Sequence, residues 1–171
     1  MNRLRRLWVW IRRIGHCRGF GIQSPTDYYF VRHVINEHWP YYAYQELSDG
    51  DALRHKLGML YFRLANWRQP SIILDAVGAA KYLQAGCKTA QIANSVERVE
   101  LACVPIASDF HQLFEHCDDE SVVIFQDIWR QMPLWHCIEH DERVSISYDL
   151  YYCGIVFFDS KRAKQSYVVN F

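Results

Sequence analysis

Two short, mainly apolar segments constrain the fold of this chain more than any other feature. Residues 71–77 follow Pro70 and lead to Gly78, which opens a helical stretch to about Gln84. Residues 121–125 show no alternation of apolar and polar side chains, which is typical of a strand buried on both faces of a sheet. A strand, a glycine and a helix in this order indicate an α/β fold.

Further strands and helices alternate through the same half of the chain. The pattern predicts strands over 89–93, 99–106, 144–149, 154–158 and 167–169, and helices over 108–116 and 129–139, the second interrupted at Pro133. The strands at 144–149 and 154–158 are close enough in sequence to pair as an antiparallel hairpin. We therefore expect a parallel sheet that ends in an antiparallel hairpin.

The first part of the chain shows helical patterns instead. Ser24 followed by Pro25 marks a helix start, because a hydroxyl cap and a proline at the first helical position are both favoured there. Asp27 suits the first turn of that helix, where a negative charge interacts well with the helix dipole. The apolar face of this helix continues to about Glu37, and a further helix is predicted over about 49–67.

The apolar content is high enough for the whole chain to fold. Half of its 171 residues are apolar and 15% are aromatic, unlike the composition of disordered chains. The length suits one ordinary domain. We therefore divide the chain into a helical N-terminal extension, residues 1–69, and an α/β core, residues 70–171, which together form one compact unit.

The formal net charge is zero, but the charges are unevenly distributed. Residues 1–20 contain six arginines and no acid, whereas the remaining residues hold 13 basic and 19 acidic side chains. The bulk neutrality argues against a nucleic-acid-binding protein. Apolar side chains recur at helical spacing between the arginines, at Leu4, Leu7, Trp8, Ile11 and Ile14. This amphipathic helix either docks on the body of the protein or on a second copy, or lies on a membrane surface or another partner.

No apolar run approaches the roughly 18–20 residues that a membrane span requires. Arg12 and Arg13 interrupt the stretch that a secretory signal needs, so we expect a soluble, cytoplasmic protein without a transmembrane segment. The six cysteines are scattered without a C-x-x-C pair, which predicts reduced thiols rather than zinc ligands or disulfides. His136 and His140 have a spacing that zinc sites use, but we interpret them as surface histidines because no third ligand accompanies them.

Six stretches near the two ends of the chain form a recognisable pattern. They are 18–25 (RGFGIQSP), 40–44 (PYYAY), 62–66 (FRLAN), 144–150 (VSISYDL), 154–158 (GIVFF) and 163–165 (AKQ). With the order of elements, they resemble class I S-adenosylmethionine-dependent methyltransferases, and more closely a bacterial group of methyltransferase-like proteins. The resemblance implies a Rossmann-like methyltransferase sheet with S-adenosylmethionine as its cofactor.

The glycine-rich cofactor loop of that family corresponds to residues 75–80 (DAVGAA) in this chain. Only one of its glycines remains here, so the resemblance assigns cofactor binding to Asp75 and Gly78 alone. If the protein is an active methyltransferase, we expect Gln23, Tyr41 and Tyr42 to lie over the substrate. The alternative interpretations are an ordinary strand-to-helix turn at Gly78 and structural packing of the tyrosines.

Several groups that the family uses are missing. The predicted second strand ends before Asn94 and Glu97, and neither is a secure counterpart of the family's ribose-binding acid. Asp127 matches the start of an Asp-Asn metal pair but is followed by Ile128, so we expect no metal, because one carboxylate cannot supply the several oxygen ligands required. A βαβ unit takes about 30 residues, so at least one strand–helix unit around 85–105 is expected to be missing.

These patterns predict a truncated Rossmann-like methyltransferase sheet with a helical N-terminal extension. We expect a methyltransferase-like protein without transfer activity that acts by binding, as a homodimer or with another protein. The alternative is an active S-adenosylmethionine-dependent methyltransferase of unidentified substrate. Methyl transfer depends mainly on proximity and alignment, so the lack of an evident catalytic base does not exclude the alternative.

Overall fold

The apolar segments assemble into a mixed sheet, in agreement with the predicted α/β fold. The structure is a computed structural model that describes residues 3–47 and 50–171, and within them the sheet has seven strands. In chain order the strands are Ile72–Asp75 (β1), Gln91–Ala93 (β2), Val99–Pro105 (β3), Cys117–Gln126 (β4), Ile146–Asp149 (β5), Cys153–Phe157 (β6) and Gln165–Val168 (β7). Their order across the sheet is β2-β1-β3-β4-β6-β5-β7.

Helices precede the sheet and alternate with its strands. They are Arg3–Arg12 (α1), Pro25–Phe30 (α2), Ala43–Glu46 (α3), Ala52–Arg68 (α4), Ala80–Gly86 (α5), Phe110–Glu115 (α6) and Met132–His140 (α7). A π-helical turn, Val31–Ile35, continues α2, and short 3-10 turns lie at Ile14–His16 and Ile128–Arg130. The helical character of the N-terminal part is therefore confirmed.

The strand directions bring most carboxyl ends to one edge of the sheet. β1 to β4 are parallel, β6 is antiparallel to both β4 and β5, and β7 is parallel to β5. The predicted antiparallel hairpin is thus confirmed as β5 and β6. Because the chain runs from β1 to β2 on one side and then to β3 on the other, a topological switch point lies between β1 and β3.

The connection from β2 to β3 is unusually direct. The prediction of a missing strand–helix unit around 85–105 is wrong for the strand, because β2 and β3 both lie in this range. Only the helix is absent: residues 94–98 join the two strands from one side of β1 to the other and contain no helix. Parallel strands ordinarily need a crossover of a dozen or more residues, most often with a helix. Val96 packs against the apolar core on the face of the sheet that also carries α6 and α7.

Both faces of the central strand are buried, as its unbroken apolar run predicts. Val122 and Ile124 belong to the core on one face, beneath α2, α4 and α5. Val123 and Phe125 belong to the core on the other face, beneath α6 and α7. Each of the four is at most 1% exposed. β4 is longer than the predicted strand because it begins at Cys117.

Helix ends follow local capping groups. The Ser24 side chain accepts a hydrogen bond from the Asp27 amide at 3.3 Å, which confirms the predicted start of α2. α4 begins after Asp51, whose carboxylate accepts from the Leu53 amide at 2.8 Å, and the predicted start at residue 49 lies outside the described residues. Pro133 does not interrupt α7, because it falls in the first turn, where a missing amide proton costs little.

Two glycines set the distance between α4 and α5. A methyl group on Gly86 would lie 2.2 Å from the Phe62 carbonyl oxygen, and one on Gly58 would lie 2.4 Å from the Tyr82 ring. These are closer than any real contact of a methyl carbon. The two helices therefore pack backbone against backbone at one end and backbone against ring at the other.

The last residues tie the N-terminal segment to the carboxyl edge of the sheet. The Asn170 amide donates to the His16 carbonyl oxygen at 2.9 Å, and its side chain donates to the Trp10 carbonyl oxygen at 3.2 Å. Arg13 forms an ion pair of 2.8 Å with Asp149 at the end of β5. α1 is thus held by residues that lie more than 130 positions away in sequence.

Candidate functional site

Open α/β sheets bind ligands in the crevice at the carboxyl ends of their strands, at the switch point. In this chain that crevice lies between the ends of β1 and β3 and is bordered by β4. Asp75 ends β1, Cys103 pairs with it in β3, and Gln126 ends β4. The turn at residues 75–80 therefore follows β1 directly at this crevice.

The turn after β1 is built around one carboxylate and one glycine. Asp75 Oδ1 accepts a hydrogen bond from the Val77 amide at 3.0 Å. Gly78 has a φ of +73°, a left-handed conformation that favours glycine, and open space surrounds the position of its missing side chain. Asp75 forms no ion pair with any residue that the structure describes. The predicted pair, Asp75 and Gly78, thus lies together at the switch point.

Tyr61 of α4 fills the space beside this turn. It is 3% exposed, and its hydroxyl donates to Gln126 Oε1 at 2.9 Å. Burial raises the pKa of Tyr61 well above its usual value, and the nearby groups of Cys153, Cys103, Asp127 and Asp75 raise it further. A neutral phenol therefore sits among the carboxyl ends of β1, β3 and β4. The sequence marks Tyr61 only as part of the apolar face of a helix, and no local signal shows where it points.

Asp127 follows β4 and is held by its own neighbours. Its backbone has a φ of 64°, and its amide donates to the Tyr152 carbonyl oxygen at 2.7 Å. Its carboxylate accepts from Trp129 Nε1 at 3.1 Å and forms an ion pair of 3.2 Å with Arg130. Over residues 3–47 and 50–171, no three His, Cys, Asp or Glu side chains group closely enough to hold a metal ion.

Gln23 lies far from the candidate cofactor turn. It lines a cavity of about 390 Å³ together with Asp27, Arg162 and Gln165. Gln165 is the first residue of β7, so this cavity opens at the amino end of that strand, five strands away from β1. Asp75 lies at the opposite edge, at the carboxyl end of β1. The structure does not bring the predicted substrate residue Gln23 to Asp75.

The predicted substrate tyrosines are also separated from the turn. The Tyr41 hydroxyl donates to Glu37 Oε2 at 2.8 Å, and its ring packs on Tyr44 and Phe62. Burial and the Glu37 carboxylate raise the pKa of Tyr41 to about 12. Tyr42 is 94% exposed. Because Phe62 lies against the end of α5 and Gly78 precedes its start, this cluster sits away from the crevice.

A buried carboxylate that the sequence analysis treated only as a helix-start residue forms a second polar cluster. Asp27 is 1% exposed and accepts hydrogen bonds from the Tyr148 hydroxyl at 2.7 Å, the Tyr167 hydroxyl at 3.0 Å and Arg162 at 2.7 Å. Burial alone would raise the pKa of Asp27, but the hydrogen bonds, that from Arg162 first, lower it below 3.8. The cluster joins α2 to β5 and β7.

The Asp27 cluster lies next to three of the stretches that carry the resemblance. Residues 18–25 lead into α2, residues 144–150 contain Tyr148, and residues 163–165 follow Arg162. Tyr148 lies within the second stretch, whereas Asp27 follows the first and Arg162 precedes the third, so the ends of these stretches come together around one carboxylate. They therefore hold the helical extension against the sheet rather than form part of the crevice.

Comparison with known proteins does not assign the chain to a family. No family profile, no curated protein and no solved structure matches it. Among the described helices, none combines the length and apolar character needed to cross a bilayer.

Proposed function

We propose that this protein is a methyltransferase-like protein that lacks transfer activity and acts by binding. A helical extension, a parallel sheet and an antiparallel closing hairpin support the resemblance at the level of architecture. The turn at Asp75 and Gly78 lies at the switch point, where ligands bind in this class of sheet.

The observation that carries the proposed loss of activity is a phenol at the carboxyl ends of β1, β3 and β4. Tyr61 is buried beside the turn, and its hydroxyl is bonded to Gln126 at the end of β4. Val77, within the turn itself, packs against the same apolar core. The Tyr61 ring and its hydrogen bond leave less room beside Asp75 for S-adenosylmethionine, which supports the proposed loss of activity.

The direct connection between β2 and β3 supports the same conclusion. In a complete fold of this class, the chain between these strands would contribute further elements beside the crevice. Here residues 94–98 make the whole connection, and Asn94 and Ser95 line a cavity of about 320 Å³ with Ala76 and Asp109. No carboxylate follows β2 until Glu97, which is exposed. Among the described residues, the connection after β2 therefore provides no buried acid that could bind a ribose.

One observation favours the alternative, an active methyltransferase. The Asp75 carboxylate is half-buried and has no ion-pair partner among the described residues, and Gly78 leaves open space at the turn. Asp75 and Gly78 would then hold the cofactor after a movement of Tyr61. The two proposals differ in one measurable property, which is binding of S-adenosylmethionine.

Thermal unfolding with S-adenosylmethionine or S-adenosylhomocysteine separates the two proposals. We expect no change in melting temperature at millimolar ligand, because the Tyr61 side chain is buried beside the turn. A ligand at about 100 times its Kd stabilises a protein by about 2.7 kcal/mol, which for a domain of this size shifts the melting temperature by roughly 5–10 °C. Isothermal titration calorimetry at the same concentrations provides an independent check. A shift of that size would show that the cofactor binds, which the alternative requires and the first proposal does not expect.

Replacement of Asp75 tests the assignment of the turn. For the proposed binding protein, Asp75→Ala should reduce stability by only about 1 kcal/mol, the usual net value of one hydrogen bond. Asp75→Asn is the matched control, because its side chain still accepts from the Val77 amide. If the wild-type protein shows a ligand-induced shift, the alternative requires both variants to reduce it. An unchanged shift in Asp75→Ala would instead place the ligand elsewhere.

A further inference from the structure

The first helix presents its apolar stripe to solvent. Five large apolar side chains follow one another along the outer face of α1 and the turn after it, and each is more than half exposed: Leu4, Leu7, Trp8, Ile11 and Ile14. A helix on the surface of a globular protein ordinarily turns such a stripe toward the core. The apolar stripe of α1 therefore faces away from the protein body, which is an inversion of the usual orientation of an amphipathic helix.

The inversion results from specific contacts on the opposite face of α1. Arg5 stacks over the Trp129 ring at 4.9 Å, and Val9, one turn later, is 5% exposed. Arg13, a further turn along, donates to the Asp149 carboxylate at 2.8 Å and to its carbonyl oxygen at 3.0 Å. These three residues, spaced four apart, form the docked face of α1 and fix the outward direction of the stripe.

The charge around the stripe identifies the kind of surface that would cover it. The first 20 residues contain six arginines and no acid, and two of the six, Arg5 and Arg13, lie on the docked face. Arg12 is exposed and its guanidinium lies over the Trp8 ring at 4.5 Å, at the margin of the stripe. Tryptophan and arginine beside an apolar face are typical of helices that lie in a membrane interface, where the apolar side chains enter the lipid and the cations meet anionic headgroups.

We propose that α1 binds the surface of an anionic lipid bilayer through this outward apolar stripe. The helix of 10 residues is about 15 Å long, about half the thickness of the hydrocarbon core, so it lies in the plane of the interface. A symmetric contact between two copies would place two arginine-rich segments side by side, and such like-charge contacts are unfavourable. The inference is independent of what the crevice between β1 and β3 holds.

Vesicle binding of the full chain tests this proposal. Pure phosphatidylcholine vesicles are compared with mixed phosphatidylcholine–phosphatidylglycerol vesicles by co-sedimentation and by the shift of tryptophan fluorescence. We expect binding to the mixed vesicles that weakens at high salt, and at least about tenfold weaker binding to the neutral ones. Equal affinity for both vesicle types, or no binding to either, would overturn the proposal.

Two matched double variants locate the contact. Leu4→Glu with Ile11→Glu places two charges in the stripe, and we expect a loss of vesicle affinity of about tenfold or more. Trp39→Glu with Tyr42→Glu makes the same charge change at two other exposed aromatic residues and should stay within about twofold of wild type. All four positions are exposed, so the melting temperatures of both variants should match that of the wild type.

The same variants distinguish a protein partner from a lipid surface. Light scattering over a dilution series gives the oligomeric state of the wild type and of each double variant. A wild-type dimer that dissociates in Leu4→Glu with Ile11→Glu, combined with no binding to anionic vesicles, would show that a second copy covers the stripe. A wild-type monomer that binds anionic vesicles through Leu4 and Ile11 is the result that we expect.

Discussion

Replacing Asp27 with alanine should destabilise the protein by about 3–5 kcal/mol, the usual cost of removing one partner from a buried ion pair. The substitution leaves the Arg162 guanidinium and the Tyr148 and Tyr167 hydroxyls without their shared acceptor. For a chain of this length, the melting temperature should fall by roughly 10 °C or more. The same free-energy loss should appear in urea unfolding, with the slope unchanged.

Asp109→Ala is the matched control for this substitution. Asp109 is an exposed helix cap that accepts hydrogen bonds from the His111 and Gln112 amides, so its loss should cost only about 1 kcal/mol. If Asp27→Ala and Asp109→Ala are equally destabilising, the buried cluster contributes no more than an ordinary cap. The amide of Asp27→Asn can still accept from some of the donors, so this variant should lose less stability than Asp27→Ala. Its loss should still be larger than that of Asp109→Ala.

The Asp27 cluster also predicts a pH dependence with a definite sign. Its hydrogen bonds, with that from Arg162 first, outweigh burial and hold the pKa of Asp27 below 3.8 in the folded protein. A lowered pKa stabilises the fold above the unfolded-state pKa, and this stabilisation is lost as pH falls through the folded-state pKa. The difference in unfolding free energy between wild type and Asp27→Asn should therefore be constant near neutral pH and shrink below pH 3.8. A difference that grows on acidification would contradict the assignment.

Replacing Gly86 with alanine should have the second largest effect on stability. The added methyl group would lie 2.2 Å from the Phe62 carbonyl oxygen and 3.1 Å from the Ala65 methyl group. Since the nearest obstacle is backbone, α4 and α5 must separate, and overpacking of this kind costs about 3 kcal/mol. The expected loss is measured by urea unfolding.

Gly15→Ala is the corresponding control, because no atom lies within 4 Å of the added methyl group. It should be neutral or stabilising by up to about 1 kcal/mol, since alanine reduces the freedom of the unfolded chain. A loss in Gly15→Ala as large as that in Gly86→Ala would show that the cost does not arise from the approach of α4 and α5. A Gly86→Ala variant as stable as the wild type would instead show that a small local shift relieves the short distance at Gly86.

The sheet could be predicted from the sequence because its strands carry local signals. The unbroken apolar run at 121–125 indicated burial on both faces, and Val122 and Val123 do face opposite cores. The spacing of 144–149 and 154–158 predicted a hairpin, and Ser24 with Pro25 predicted a helix start. Each of these signals lies within a few residues of the element that it specifies, so no knowledge of distant contacts was needed.

The contents of the crevice could not be predicted, because they depend on residues far apart in the chain. Tyr61 has the spacing of an ordinary core residue, and its partner Gln126 is 65 positions away. Asp27 has the position of an ordinary first-turn acid, and its donors are more than 120 positions away. In the same way, the periodicity of α1 predicted an apolar stripe but not its direction, which Trp129 and Asp149 determine.

The position of the docking partners of α1 also fixes the order of events during synthesis. Arg13 leaves the ribosome 136 residues before Asp149, a delay of roughly 7–30 s at ordinary elongation rates. During that interval α1 has been made, but the carboxyl edge of the sheet on which it docks has not. Attachment of α1 is therefore a late step in folding. Its arginine-rich segment is exposed to other cellular components before the sheet on which it docks has been synthesised.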